Sequence, residues 1–124
     1  MYSFSKDERL CAKKSISRLL AEGNKYFHPS FSVKWMELET TERPSIQLLA
    51  IVPKRNFKKA VDRNKIKRFI RESFRLNKEL LAVPLKEKNK NIALMLLYNS
   101  RKIESYQEVE SKITLILQFL ASTI

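Results

Sequence analysis

The sequence has few of the residues that build disulfides, metal sites and linkers: among 124 residues there are one cysteine, one histidine, one glycine and four prolines. The lone Cys11 excludes an intramolecular disulfide and a zinc site made of several thiolates, and it fits a reducing cytoplasm. The lone His28 excludes a nuclease that relies on a histidine pair. No apolar run is long enough to span a membrane, and there is no glycine-rich phosphate loop.

Acidic residues are also scarce, because 13 Asp and Glu stand against 25 Lys and Arg, which gives a formal net charge of +12. This balance, with a pI near 10.0, predicts nucleic acid or another acidic surface as the partner. The hydrophobic fraction of 44% is nevertheless high enough for one packed domain over residues 1–124.

A protein that cleaved nucleic acid by itself would need carboxylates gathered around Mg²⁺. The candidate clusters are Asp7 with Glu8, and Glu37 with Glu39 and Glu42. The first is interpreted as the start of a helix and the second as a solvated turn between strands. The sequence therefore predicts no catalytic residue and no metal ligand in this protein.

The positive charge is concentrated between Pro53 and Arg75, where ten basic and two acidic residues carry +8 of the formal +12. From about Lys59 this stretch reads as a helix with two different sides. One side is a polar stripe made of Asn64, Lys67, Arg68, Arg71 and Arg75. The other side carries Ile66, Phe69, Ile70 and Ser73, with Phe74 at the border.

Glu72 is the only acidic residue beside this stripe, so ion pairs within the helix are expected not to neutralise it. A charged helix face is often simply solvated, but unpaired like charges on one face cost stability. The stripe therefore predicts that a polyanion binds to this helix.

The segment that begins at Arg63, RNKIKRFIRESFR, resembles the signature of the bacterial ribonuclease P protein component, which is written RNR followed by IKR and R. The matching positions are Arg63, Asn64, Lys65, Ile66, Lys67, Arg68 and Arg71. Lys65 stands where the family usually has a second arginine, and the preceding FKKAVD lacks the usual glycine. The opening pattern FxKxxRL before a short helix and a glycine is matched by Phe4, Lys6, Arg9, Leu10 and Gly23.

This resemblance implies a function. Ribonuclease P removes the 5′ leader of precursor tRNAs, and its catalytic centre is an RNA that positions Mg²⁺. The chain would be the accessory protein subunit, located in the cytoplasm, with no catalytic residue, no cofactor of its own and no further protein partner. With the cations of the preceding loop included, the expected RNA-binding residues are Lys54, Arg55, Lys58, Lys59, Arg63, Asn64, Lys65, Lys67, Arg68, Arg71 and Arg75.

The resemblance also implies a second RNA surface, a cleft between the first helix and the sheet that holds the single-stranded leader. Its candidate residues are Ile16 and Leu20, where many relatives carry aromatic residues, and Lys34 on a following strand. Neighbouring strand residues point to opposite faces, so only one of Lys34 and Trp35 can face the cleft. Trp35 shares the parity of Phe31, which predicts that Trp35 belongs to the core.

Hydrophobic periodicity predicts the remaining elements. A helix is expected over about residues 14–22, with Gly23 as its C-cap in a positive-φ conformation. The other expected elements are one or two strands over 26–40, a strand over 45–52, a connection containing Pro84 over 77–91, and a strand over 92–98. A capping box formed by Ser105 and Glu108 predicts a last helix that ends near Ala121.

These elements predict an α+β fold, a two-layer sandwich in the order α-β-β-β-α-β-α with a mixed sheet. The two strands that flank the basic helix are expected to be parallel, because a crossover helix joins them. Such crossovers are generally right-handed. The resemblance instead implies a left-handed crossover here.

Two other functions remain open at this point. A generic RNA- or DNA-binding protein, such as one associated with the ribosome, would use the same basic helix. A protein that binds anionic membranes is disfavoured, because the apolar side of the basic helix has strands to pack against.

Overall fold

The structure is a computed structural model that describes residues 13–38 and 46–124, with side chains from residue 17 onwards. Within these residues the helices and strands follow one another in a fixed order. They are α1 (Lys13–Glu22), β1 (Asn24–His28), β2 (Phe31–Leu38), β3 (Ile46–Ile51), α2 (Ala60–Asn77), α3 (Glu79–Glu87), β4 (Asn91–Tyr98) and α4 (Tyr106–Thr123).

The described strands form one mixed sheet in the order β1-β2-β4-β3. β1 and β4 pair with β2 in antiparallel register, and β3 pairs with β4 in parallel register. The segment before β3 therefore forms two strands, which turn at Pro29 and Ser30, where Ser30 has a φ of 72°. The mixed α+β sheet and the parallel pair are confirmed, while the handedness of the crossover stays a prediction.

One face of the sheet packs against the helical layer formed by α2, α3 and α4. Side chains of alternate strand positions, among them Val33, Leu48 and Leu94, form this core with the buried sides of the helices. Trp35 belongs to the same cluster and is 9% exposed, so its predicted place in the core is confirmed. β4 is buried on both sides along nearly its whole length, as expected for a central strand.

The opposite face of the sheet, called the α1 face below, is covered less completely. Leu19 of α1 packs against Met36, Ala93 and Met95 in a second, smaller cluster. Other apolar side chains of this face, such as Leu49 and Leu97, are only half-buried within the described residues. Among the described residues, this face therefore keeps some accessible apolar surface.

The segment between α2 and β4, predicted as a connection, contains a helix, so that prediction is wrong. In α3, Leu81 and Leu85 are spaced four residues apart and both are buried. Pro84 lies inside this helix and removes one backbone hydrogen bond. Burying two leucines on one side of a short helix offsets that loss, because tertiary packing supplies most of a helix's stability.

Gly23 follows α1 as predicted, but its φ is not positive, so the expected left-handed C-cap is wrong. Its N–H donates a hydrogen bond of 3.0 Å to the carbonyl of Leu19. A Cβ at this position would lie 2.4 Å from the same oxygen and 2.9 Å from Leu19 Cδ1. Glycine is needed here because of this close approach and not because of its backbone angles.

The capping box of α4 is confirmed. The Ser105 hydroxyl accepts a hydrogen bond from the Glu108 N–H at 3.2 Å, and the Glu108 carboxylate accepts one from the Ser105 N–H at 3.2 Å. The inward side of α4 consists of Val109, Ile113, Ile116, Leu117 and Leu120, all buried. Ile116 and Leu117 are therefore both core residues.

A buried carboxylate links the loop before α4 to the turn between β1 and β2. Glu104 is 8% exposed and accepts hydrogen bonds from the Lys112 ammonium and the Ser30 hydroxyl. Burial raises the pKa of Glu104, but the hydrogen bonds from Lys112 and Ser30 and the charge of Lys112 outweigh it. The net result is a pKa below the usual glutamate value.

We expect this carboxylate to make stability depend on acid pH. A depressed folded-state pKa adds stability that is fully present above the unfolded-state pKa of about 4.3 and is lost as the pH falls through the folded value. We therefore follow chemical denaturation between pH 7 and pH 3. Below about pH 4.3, Glu104→Gln should lose less stability than the wild type. The exposed Glu87→Gln is the matched control, and an identical pH profile for wild type and Glu104→Gln would contradict the assignment.

Candidate nucleic-acid interface

Helix α2 turns one side to the core, as its periodicity predicts. Ile66, Ile70 and Phe74 are fully buried, and so is Ser73, whose hydroxyl donates to the Phe69 carbonyl at 2.7 Å. Phe69 was predicted on the same side but is only half-buried at its border. The buried side anchors the helix, so the direction of the opposite side is set by the core.

The opposite side of α2 and the loop before it form a surface called the basic face below. On the helix it comprises Asn64, Lys65, Lys67, Arg68 and Arg71, of which only Lys67 is half-buried and the others are exposed. In the loop it comprises Lys54, Arg55, Lys58 and Lys59, all exposed. None of these cations forms an ion pair with another residue in the described ranges.

Arg63 has a positioning role that the sequence did not indicate. Its Nη1 donates to the backbone carbonyls of Phe57 at 2.7 Å and Lys58 at 2.9 Å. These bonds tie the basic loop to the first turn of α2. Arg63 therefore holds the loop cations next to the helix cations.

Arg75 differs from the rest of the predicted stripe, because it forms an ion pair with Glu72 one turn earlier. Its hydrogen bond and its charge lower the pKa of Glu72 despite some desolvation. The expectation that the stripe stays unneutralised along its full length is thus wrong at its C-terminal end. Partly exposed pairs of this kind contribute little to stability, but this pair reduces the net charge at the C-terminal end of α2.

Two cations of the basic face lie over the half-buried ring of Phe69. Lys65 Nζ and Arg68 Cζ are each 5.9 Å from the ring centroid, within reach of a weak cation–π interaction. The Phe69 ring also packs edge-on against Tyr106 at 5.7 Å. The ring attracts both cations only weakly, and Lys65 and Arg68 remain exposed.

The α1 face of the sheet brings two of the three predicted cleft residues together. Lys34 Nζ donates to the Leu20 carbonyl at 2.8 Å, and the Leu20 side chain is 48% exposed. Lys34 and Trp35 point to opposite faces, so Lys34 is the one on the α1 face. The side chain of Ile16 lies outside the described residues. Lys25, which the sequence did not single out, pairs with Lys34 across β1 and β2 and shares this face.

Asn99 and Arg101 are further polar residues that the sequence did not single out. They line the same cavity as Arg55 and Asn56. The signal was available only indirectly: one pair follows β3 and the other follows β4, and parallel neighbouring strands end at the same edge of a sheet.

The predicted acidic clusters lie mostly outside the described residues. Glu37 pairs with Lys90 at 3.0 Å, while Asp7, Glu8, Glu39 and Glu42 lie outside the described residues. Among the residues that the structure describes, no three His, Cys, Asp or Glu side chains are grouped as metal ligands would be. No helix of this same part of the chain is both long and apolar enough to cross a membrane.

The residues of both surfaces lie in the part of the chain that matches one known sequence family. The sequence model of the family described as Ribonuclease P matches residues 4–119. The chain belongs to the ribonuclease P protein family. One relative is the ribonuclease P protein component of Porphyromonas gingivalis, which is 32% identical over 110 residues, or 88% of this chain and 80% of the relative. The predicted family is thereby confirmed.

Solved structures of ribonuclease P proteins share the fold. The protein from Thermotoga maritima has a TM-score of 0.71 at 22% identity, over 90% of this chain and 96% of its own. The protein from Staphylococcus aureus has a TM-score of 0.70 at 23% identity, over 90% of this chain and 94% of its own. The basic face and the α1 face therefore belong to a fold that this chain shares with ribonuclease P proteins.

Proposed function

We propose that this ribonuclease P protein binds the catalytic RNA of ribonuclease P through its basic face and the 5′ leader of precursor tRNA on its α1 face. The RNA subunit, with its Mg²⁺, carries out the hydrolysis that removes the leader. The protein acts in the cytoplasm as an accessory subunit that brings the two RNAs together.

The observation that carries this proposal is the set of exposed cations on α2 and its leading loop that lack ion-pair partners in the described ranges. Lysines and arginines that lie side by side on one face of a helix repel one another, and a bound anion offsets this repulsion. An RNA backbone supplies closely spaced phosphates, and arginine forks such as that of Arg68 suit them. Asn64 adds a donor and an acceptor between these charges.

The α1 face supports the leader part of the proposal. It offers the two lysines Lys25 and Lys34, together with exposed Leu20 and half-buried apolar side chains of the sheet. This combination suits a single strand of RNA, because cations that follow a groove hold the backbone while the bases pack against the apolar surface beside them. Trp35 is buried on the other face and takes no part in stacking.

The expected benefit to the reaction is electrostatic. Precursor tRNA and catalytic RNA are both polyanions, so their approach without protein depends on divalent cations. The basic face neutralises phosphates where the two RNAs meet and thereby lowers the Mg²⁺ concentration that the reaction needs. Since this binding releases counterions, the benefit should decline as the monovalent salt concentration rises.

A reconstitution assay tests the proposal. Labelled precursor tRNA is incubated with the protein, with a bacterial ribonuclease P RNA, and with both, over a range of Mg²⁺ concentrations. We expect no cleavage by the protein alone, slow cleavage by the RNA at high Mg²⁺, and cleavage at lower Mg²⁺ when both are present. Precursor should also gain more affinity from the protein than mature tRNA, which has no leader.

Two results would contradict the proposal in different ways. If the protein binds RNA but leaves the Mg²⁺ requirement unchanged, it is a general RNA-binding protein without a role in cleavage. If it cuts at the mature 5′ end without RNA, and this activity disappears on exchange for alanine of the predicted acidic residues, it is a protein nuclease. Those residues are Asp7, Glu8, Glu37 and Glu39.

A further inference from the structure

An open cavity of about 600 Å³ lies at one end of the sheet and is lined by Arg55, Asn56, Asn99 and Arg101. The first two residues follow β3 and the last two follow β4. Because β3 and β4 are parallel neighbours, their carboxyl ends bring the two loops together. We call this cavity the inter-loop pocket. The described residues that line it contribute two guanidinium groups and two amides.

The loop after β3 is held in place before any ligand arrives. The Asn56 N–H donates to the Pro53 carbonyl at 3.2 Å, which closes a turn around Arg55. The next residue, Phe57, is buried, and its carbonyl accepts a hydrogen bond from Arg63. Arg55 and Asn56 therefore stand on a turn that is fixed at both ends.

The loop after β4 is held equally well. The Asn99 N–H donates to the Ser30 carbonyl at 2.8 Å, and the Asn99 side-chain amide donates to the Ser32 hydroxyl. The Tyr98 hydroxyl donates to the Lys102 carbonyl at 2.5 Å and accepts from the Glu104 N–H at 3.2 Å. These bonds fix the loop on both sides of Arg101.

The two loops are also fixed relative to each other. The ring of Phe57, in the first loop, packs against the ring of Tyr98, the last residue of β4, with the centroids 5.9 Å apart in the core. The spacing between the two sides of the pocket is thus set by buried aromatic side chains. A pocket whose backbone is held in advance loses less entropy when it binds a ligand.

The charge of the pocket selects the ligand. Arg55 and Arg101 are exposed and form no ion pair with another residue in the described part of the chain. Two guanidinium groups that line one cavity repel each other, and an anion between them removes this cost. Arginine forks and amide N–H groups are donors that match the oxygens of a phosphate group.

We infer that the inter-loop pocket binds a phosphate of an RNA backbone and connects the basic face with the α1 face. Arg55 belongs to the basic loop, and Asn99 is bonded to Ser32, which lies on the same side of β2 as Lys34. The pocket therefore lies between the two surfaces. This inference rests on the proposed RNA-binding function, which it extends to Asn56, Asn99 and Arg101.

Inorganic phosphate tests the pocket without any RNA. In a titration of the ¹⁵N-labelled full chain followed by NMR, we expect the side-chain amide signals of Asn56 and Asn99 to shift with phosphate concentration. Arg101→Ala should abolish these shifts. Lys102→Ala, which removes the same charge from the same loop without lining the pocket, should keep them.

A second measurement uses the catalytic RNA. Loss of one phosphate contact should reduce the slope of log affinity against log salt concentration by about 0.7–0.9 for Arg101→Ala. The slope should stay unchanged for Lys102→Ala. Arg101→Lys should keep the slope but bind more weakly than wild type, because an ammonium group lacks the bidentate fork.

The outcomes separate this inference from the proposed function. Amide shifts that are absent, or that persist in Arg101→Ala, overturn the phosphate pocket even if RNA binds. Amide shifts that depend on Arg101, with an unchanged salt slope, overturn the RNA backbone as the source and assign the pocket to free phosphate. If no RNA binds to the wild type, the proposed function fails while the phosphate titration still reports on the pocket.

Discussion

Replacing Ile70 by alanine should lower the free energy of unfolding by about 2–5 kcal/mol, the usual range for deleting a large aliphatic side chain from a core. Ile70 is fully buried on the apolar side of α2, in the cluster that joins this helix to the sheet and to α4. The change removes three carbons and leaves a cavity that the surrounding side chains cannot close completely. Urea denaturation followed by circular dichroism measures the loss.

Arg71→Ala is the matched control, because residue 71 is the next residue of the same helix and is exposed. Exposed substitutions of this kind usually change stability by about 0.5 kcal/mol or less. The two variants together test the assignment of the helix sides. Equal stability of Ile70→Ala and wild type would mean that the apolar side of α2 does not carry the core.

The double variant Arg68→Ala/Arg71→Ala should bind the catalytic RNA roughly 30-fold more weakly than wild type at about 0.1 M monovalent salt. Each lost phosphate contact should reduce the salt slope by about 0.7–0.9, which corresponds to about five- to eightfold in affinity per contact at this salt concentration. Both arginines are exposed on the basic face, so the fold should remain intact. A filter-binding or fluorescence titration at several salt concentrations measures both quantities.

The control must remove the same net charge from elsewhere on the molecule. Lys86→Ala/Lys102→Ala does so with two exposed lysines, one in the last turn of α3 and one in the loop before α4. It should keep nearly all of the affinity and the wild-type salt slope. If both double variants lose the same affinity, RNA responds to the overall charge of the protein and α2 has no special part in binding.

Local patterns in the sequence were sufficient for the elements whose stability depends on their own periodicity. The buried and polar sides of α2, the alternation that separates Lys34 from Trp35, and the capping box at Ser105 are all as predicted. Each follows from interactions between residues at most four positions apart, or from the two-residue repeat of a strand. Composition likewise indicated a basic protein with enough apolar residues to form the core of one domain.

Local patterns were misleading at Pro84 and at Gly23. Pro84 suggested an irregular connection, but burial of Leu81 and Leu85 maintains α3 around it. Gly23 suggested a left-handed cap, but the position requires glycine because the chain passes close to Leu19. At Pro84 packing between elements decided the backbone, and such packing is not encoded in the spacing of a few neighbouring residues. At Gly23 the deciding contact is local, with the residue four positions earlier.

The sequence by itself determined that a dense set of cations lies on one side of a single helix, because that depends only on helical geometry. Only the tertiary structure decided what each cation does. It directs Arg63 back to the loop carbonyls, pairs Arg75 with Glu72, and brings Arg101 beside Arg55 although 45 residues separate them along the chain. The physical reason is that side-chain partners are chosen by distance in space, and the parallel pairing of β3 with β4 creates a proximity that no local pattern contains.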